Sequence, residues 1–421
     1  GRGVSLARRT SRVRGLPESF GELPAVCLAE EITTPGEGQI RALVTLAGNP
    51  VLSLPNGAAL DDALAGLDLM VSFDVYVNET TRHADVILPS PSPLARSHYD
   101  LALLQLGIRN VANYSPPALP LGPDELDDWV VLAKLTLIAQ GLGAGADPAL
   151  VDDLAIRGFV DSAIADEHSP IHGRDAEEIL EALAPRVGPE RILDFMARTG
   201  PYGDGFGAPG RDGGLTLDLL LDHPHGIDFG ALEPRVPEVL RTPSGKIELA
   251  PEVLVDDTAR LRASLERARN GMVLIGRRDL RSNNSWMHNV NVLVKGKPRC
   301  TLQIHPDDAT RLDLTDGADA KVTSRTGAVV VPVEVTDGIR PGVVSIPHGW
   351  GHGLDGVEMQ VARAHAGVNS NLLADEELFD PVSGNAVLNG IPVSVSSAAG
   401  AGRPGRSTPE ETLLAASTKR G

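Results

Sequence analysis

Apolar runs of strand length alternate with amphipathic stretches in the first part of the chain. Residues 40–47 form a continuous apolar-rich run closed by Gly48, Asn49 and Pro50, which predicts a buried strand ending in a turn. Residues 56–67 place Leu60, Ala63, Leu64 and Leu67 on one helical face. Residues 69–75 and 85–88 read as further strands, and 23–32 as a short helix. Strands interleaved with helices predict a parallel α/β sheet, whose ligands sit beyond the carboxyl ends of the strands. Asn49 and Asp74 both fall at such ends. A Leu- and Val-rich helix over 126–140 is expected to pack on this sheet, and 149–165 and 176–183 also read as helices. Residues 200–214 are rich in Gly and Pro and predict a loop, and 251–270 a helix or linker.

From residue 272 the period shortens to that of strands. Residues 272–275, 302–305, 320–324, 328–335 and 343–347 are expected strands, with a short helix over 306–312 and a hairpin around Arg325, Thr326 and Gly327. That order suits a small closed barrel. Residues 396–421 are rich in Ala, Gly, Ser and Pro and are expected to be a disordered tail.

Composition narrows the function classes. The chain carries 38 Lys and Arg against 56 Asp and Glu, a net charge of −18, which argues against nucleic acid as a partner. No apolar run is long enough to span a membrane. Two cysteines, Cys27 and Cys300, exclude a disulfide scaffold and fit a reducing compartment, so a cytoplasmic location is expected. They also lack the spacing and number an iron–sulfur cluster needs.

The densest chemistry follows the strand at 272–275. Gly276 offers close backbone approach, and Arg277, Arg278 and Arg281 offer forked donors for phosphate. Ser282, Asn283, Asn284 and Ser285 both donate and accept, as the edge of a fused heterocycle requires. Trp286 adds a ring face and His288 a switchable donor or acceptor. Such a surface suits a large, planar, anionic ligand. Asn78, Glu79, Thr80, Arg82, His83 and Asp85 form a second polar knot that is expected to fix its loop. His348 and His352 lack a third ligand nearby, so cofactor contact or strand-end packing is expected rather than a metal site. No catalytic triad or phosphate-binding loop stands out.

The segment 274–289 resembles the carboxy-terminal dinucleotide-binding domain of the molybdopterin oxidoreductases, the dimethyl sulfoxide reductase superfamily. Five more segments resemble the family in its order: A-G-N-P at 47–50, D-V-Y-V-N-E-T-T-R-H-A-D-V-I-L-P at 74–89, C-T-L-Q-I-H-P-D-D-A at 300–309, P-H-G-W-G-H at 347–352 and G-V-N-S-N-L-L at 367–373. The resemblance runs over residues 12–395 and is strongest to the formate dehydrogenase and nitrate reductase branches.

It implies an α/β architecture: a connector over 1–22, a parallel-sheet Rossmann-like domain with a helical insertion over 23–265, and a double-psi β-barrel over 270–395. It implies bis-molybdopterin guanine dinucleotide with molybdenum or tungsten, a small-molecule substrate and a redox partner protein or electron-transfer subunit. Asn49 and Asp74 would meet the guanine-nucleotide end, and His348, Asn369 and Asn371 would join the 276–288 residues around the cofactor. The family's [4Fe-4S] segment and metal ligand have no counterpart in these residues, so the chain is expected to be the carboxy-terminal part of a longer enzyme. The alternatives are a metal-free scaffold subunit, like the large iron–sulfur subunit of respiratory NADH dehydrogenase, and a split enzyme paired with a separate amino-terminal subunit. No residue here is assigned a catalytic or metal-ligating role.

Overall fold

A computed structural model describes residues 6–266 and 271–398. The chain divides into two compact units, one from the residues up to Pro89 together with those from Leu240 onward, the other from Ser90–Val239.

In the first unit, Ala42–Leu46, Leu69–Phe73 and Val86–Leu88 form a three-stranded parallel sheet in that order. The helix Gly57–Leu64 lays Leu60, Ala63 and Leu64 against Ile32, Val51 and Met70. Asn56 starts that helix in the left-handed region, which asparagine tolerates, and its side chain accepts from the Ala59 amide. The first strand is not the buried strand that its apolar run predicts. Ala42, Val44 and Leu46 are exposed, because it is the sheet's edge and one of its faces is uncovered.

Six strands close into a barrel in the order Met272–Arg277, Val343–Pro347, Leu302–Ile304, Ala328–Val335, Asp319–Thr323 and Asn389–Ser397. Two of its pairings are parallel, Met272–Arg277 with Val343–Pro347 and Leu302–Ile304 with Ala328–Val335, and the others are antiparallel. Leu274, Leu302, Ile304, Val322, Val331, Val344 and Ile346 fill the interior. Burial alternates residue by residue along the strands at 319–323 and 389–397, as the pleat requires. The closing strand corrects one expectation: Ser396 and Ser397 pair with Lys321 and Ala320, so they are sheet and not tail. Residues 399–421 of the expected tail lie outside the described residues.

The second unit is largely helical. Asp128–Ala139, Ala149–Ala165, Ala176–Leu183 and Gly188–Thr199 pack on one another, with Ile156, Val160, Ile179, Leu183 and Phe195 in a common core. The helix Asp128–Ala139, expected to cover the parallel sheet, belongs to this unit and packs against its helical neighbours. Its Trp129 ring lies 2.7 Å from where a Cβ on Gly188 would stand, a contact only glycine permits. The helix Gly188–Thr199 escaped the sequence reading because Gly188 and Pro189 look like breakers; proline in the first turn is compatible with a helix start.

Candidate functional site

The carboxyl end of the strand Met272–Arg277 opens onto a cavity of about 450 Å³. Its walls include Gly276, Arg277, Arg278, Asn284, His348 and Asn371, all expected site residues, together with Ser53, Ser370 and Asn389. Residues from five separate segments meet there, and the parallel pairing of 272–277 with 343–347 brings both strand ends, and hence Arg277 and His348, to the same rim.

The arginines divide by partner. Arg277 reaches back into the barrel, where Nη1 donates to the Ser345 carbonyl at 2.6 Å and Nη2 to the Thr301 carbonyl at 2.9 Å and hydroxyl at 2.8 Å. Those donors are committed to the barrel, although Arg277 also lines the cavity. Arg278 is exposed and makes no hydrogen bond or ion pair among the described residues. His348 is half-buried, and its Nε2 has no partner among the described residues. Burial and then the Arg278 charge push this imidazole below its ordinary range, leaving it neutral beside the arginine. Gly276 leaves the space beside it to the cavity, since a Cβ there would find no protein atom nearer than 3.7 Å.

Asn283 and Asn284 are both left-handed, at φ 37° and 63°, and turn the chain sharply after the strand. Asn283, Ser285 and Trp286 do not line the cavity, and Trp286 is 47% exposed. Ser282 is buried, with its hydroxyl donating to the Asp279 carbonyl. Asn369 and Asn371 donate to the carbonyls of Val51 and Leu52, joining the barrel to the sheet's loops. Asp74 accepts from the Val75 and Tyr76 amides and from the Asn78 side chain, so both its oxygens serve the local turn.

His288 is the largest departure from expectation. It is fully buried, outside the cavity, with its ring stacked on Trp350 at 3.8 Å between centroids. Its Nδ1 lies 2.8 Å from Nε2 of His352, whose Nδ1 lies 2.9 Å from Oε1 of Glu79. The other Glu79 oxygen accepts from Asn49 Nδ2 at 2.8 Å. Asn49 is thus spoken for inside the protein. Burial alone would raise the Glu79 carboxyl, but the His352 and Asn49 hydrogen bonds hold it below its ordinary value. Burial, then the His352 charge, lowers His288 to about 3. Glycines make this packing possible: at Gly349, φ 85°, a Cβ would fall 2.0 Å from the Asn284 carbonyl oxygen.

Glu79 and His352 were legible only as residue types; nothing in the spacing joins them. Ser53 and Asn389 carried no signal beyond polarity, and Ser370 lay unremarked inside the segment 367–373. Among the described residues no group of three or more His, Cys, Asp or Glu could hold a metal ion. Both cysteines are free and buried. Burial raises the Cys300 thiol to about 11. No helix among the described residues is long and apolar enough to cross a membrane.

Comparison with known proteins supports the resemblance. Residues 272–392 match the Molydopterin dinucleotide binding domain. A nitrate reductase of Klebsiella oxytoca is 25% identical over 396 residues, 90% of this chain and 37% of that protein. The putative catalytic subunit of a dimethyl sulfoxide reductase of Halobacterium salinarum is 26% identical over 298 residues, 69% of this chain and 30% of that protein. The chain is similar to the molybdopterin oxidoreductases of the dimethyl sulfoxide reductase superfamily. Acetylene hydratase from Pelobacter acetylenicus shares the fold, with a TM-score of 0.59 at 19% identity, over 90% of this chain and 47% of that one. The chain spans about a third of the length of the curated relatives named here. The residues present fit part of a pterin dinucleotide: an unpaired arginine, an unpaired ring nitrogen on His348 and an open space beside Gly276 share one cavity.

Proposed function

We propose that this chain binds and orients one pterin guanine dinucleotide of a bis-molybdopterin guanine dinucleotide centre with molybdenum or tungsten, in an oxidoreductase of the formate dehydrogenase and nitrate reductase kind. The observation that carries this is the cavity lined by Arg278, which stands unpaired, and by His348, whose buried Nε2 has no partner among the described residues. Arg278 would meet a phosphate, and Asn284 and His348 the polar edge of a heterocycle. When bound, the cofactor supplies two-electron redox chemistry or oxygen-atom transfer. The chain supplies the pocket and its electrostatics. Asn49, Asp74, Arg277, Ser282, His288, Asn369 and Asn371 act mainly by holding the loops from which the ligand-facing groups project. Asn283, Ser285 and Trp286 are assigned to the cofactor's outer surface.

The same reading makes the barrel a double-psi barrel, which its two parallel pairings support, and the sheet a Rossmann-like one. It keeps the division into domains at 23–265 and 270–395. An iron–sulfur cluster, the metal ligand, the small-molecule substrate and an electron-transfer partner belong to the whole enzyme, to which a cytoplasmic location is assigned on its two free cysteines. The test is metal and nucleotide analysis of the complete enzyme, wild type against the Arg278→Ala/Asn284→Ala double variant. Wild type should release guanosine monophosphate on acid hydrolysis and contain molybdenum or tungsten, and the folded variant should have lost most of both. Full occupancy in the variant, or no guanine nucleotide in wild type, would overturn the reading.

A further inference from the structure

The buried chain from Thr80 to His288 has a polarity that its members dictate as far as Glu79. The Val51 amide donates to Thr80 Oγ1 at 3.1 Å, and the Thr80 hydroxyl donates to Asn49 Oδ1 at 2.7 Å. That orients the Asn49 amide, whose Nδ2 can then only donate to Glu79 Oε2. A carboxyl oxygen that receives this donor is best left ionised, and Glu79 is fully buried. Its carboxylate has no lysine or arginine partner among the described residues; Arg82 reaches only its backbone carbonyl, at 3.2 Å. The groups facing the carboxyl are Asn49 and His352.

An unpaired buried carboxylate costs several kcal/mol, so buried charges are found paired. Among the described residues the basic group within hydrogen-bond reach is the His352 ring, which balances the carboxylate only when it carries a proton on both nitrogens. In the doubly protonated ring Nδ1–H donates to Glu79 and Nε2–H donates onward, and His288 accepts at Nδ1. The one remaining ring hydrogen of His288 is then on Nε2, which faces the Gly349 backbone without closing a hydrogen bond. The other charged groups near His288 are Asp279 and Arg299, which pair with each other at 3.2 Å and so nearly cancel.

We propose that Glu79 and His352 are positioning residues: a buried carboxylate–imidazolium pair that holds His288 as its neutral Nε2–H tautomer and thereby fixes residues 282–289, which supply Asn284 to the cavity. The pair ties the loops that follow the parallel sheet to the segment that follows the first barrel strand. Its value to a ligand rests on the pterin-binding reading, whereas the proton assignment does not.

The experiment uses the whole chain without cofactor, labelled with ¹⁵N-histidine, with His288→Gln and His352→Gln variants to assign the rings. At pH 7.5 wild type should show His352 with both ring nitrogens protonated and His288 protonated at Nε2 alone. In Glu79→Gln, close to isosteric, His352 should become neutral. Amide exchange over 282–289 should then quicken by about tenfold or more, the loss of roughly 1.4 kcal/mol of local protection, while the strand Ala328–Val335 is unchanged. A neutral His352 in wild type, His288 protonated at Nδ1, or unchanged exchange in the variant would overturn the proposal. If Glu79→Gln does not fold, Asn49→Ser replaces it: the carboxylate keeps its charge but loses one donor, and only the exchange effect is expected, with unchanged exchange again overturning the positioning role. A chain that binds no guanine nucleotide but gives these spectra would sink the ligand reading alone.

Discussion

Nδ1 of His352 lies 2.9 Å from Oε1 of Glu79, although 273 positions separate the two residues. Both side chains are fully buried, so the contact is a tie between the sheet's loops and the barrel, made of polar groups that cannot be left unpaired. It shows what the site is built from: a set of cavity-lining groups on the rim, and a second set behind them that spends its hydrogen bonds on the protein.

That arrangement sets a pH dependence. His288 stays neutral in the folded protein down to about 3, whereas its unfolded value is 6.5. Below 6.5 the unfolded chain therefore takes up a proton that the folded one refuses. The stabilisation is fully present above that value and is lost as pH falls from 6.5 towards 3, with a slope of at most ~1.4 kcal/mol per pH unit from this group. Glu79, held below its ordinary value, adds a loss in the same direction at lower pH. Urea unfolding at pH 7, 6 and 5 should show stability falling, and His288→Gln should flatten the fall. An unchanged slope in the variant would assign the effect elsewhere.

Arg277 and Arg278 are neighbours with opposite expected phenotypes. Arg277→Met removes the donors to the Ser345 and Thr301 carbonyls and should lower unfolding free energy by about 1–3 kcal/mol. Arg278→Met should leave stability within about 0.5 kcal/mol, as for other exposed side chains, while weakening binding of guanosine monophosphate. Paired unfolding and binding titrations decide it, and equal destabilisation by both would contradict the division.

Gly349→Ala combines a positive φ with a Cβ 2.0 Å from a backbone oxygen that cannot rotate away. It should cost at least about 2 kcal/mol and displace Asn284. A thermal scan reads the first effect and ligand affinity the second. Wild-type behaviour in both would mean the two backbones do not touch.

Cys300 should be chemically silent in the folded chain. Burial raises its thiol to about 11, and the thiolate is the reactive form. Iodoacetamide at pH 8 should leave it unmodified for hours in native protein and label it within minutes in urea. Rapid native labelling would show that the barrel opens there.

The barrel strands were legible because alternation of apolar and polar residues is a local property, set by the pleat of each strand. Residues 328–335 and 343–347 were expected strands and match Ala328–Val335 and Val343–Pro347. The closing strand Asn389–Ser397 shows the same alternation at Ile391, Val393 and Val395, but Gly390, Pro392 and the serines disguised it. Half-burial of Ala42–Leu46 was not legible, because an apolar run does not say whether a strand is central or at an edge.

For the site, the sequence by itself determined the chemistry on offer: arginines, asparagines and histidines following strand ends. Six of the expected residues line one cavity, and the sequence placed them in segments as far apart as Gly276 and Asn371. Only the tertiary structure decided their roles. Whether an arginine is a free cation or a cross-link depends on which carbonyls come within 3 Å of it, and Arg277 and Arg278 differ in nothing else that a sequence records. Whether a histidine meets a ligand or a buried carboxylate depends on how two distant segments pack. His348 and His352 are four positions apart in one motif, yet one faces the cavity and the other Glu79. Periodicity survives in sequence because neighbours in the chain create it. Partnership across 273 positions does not, because the fold alone brings those atoms together.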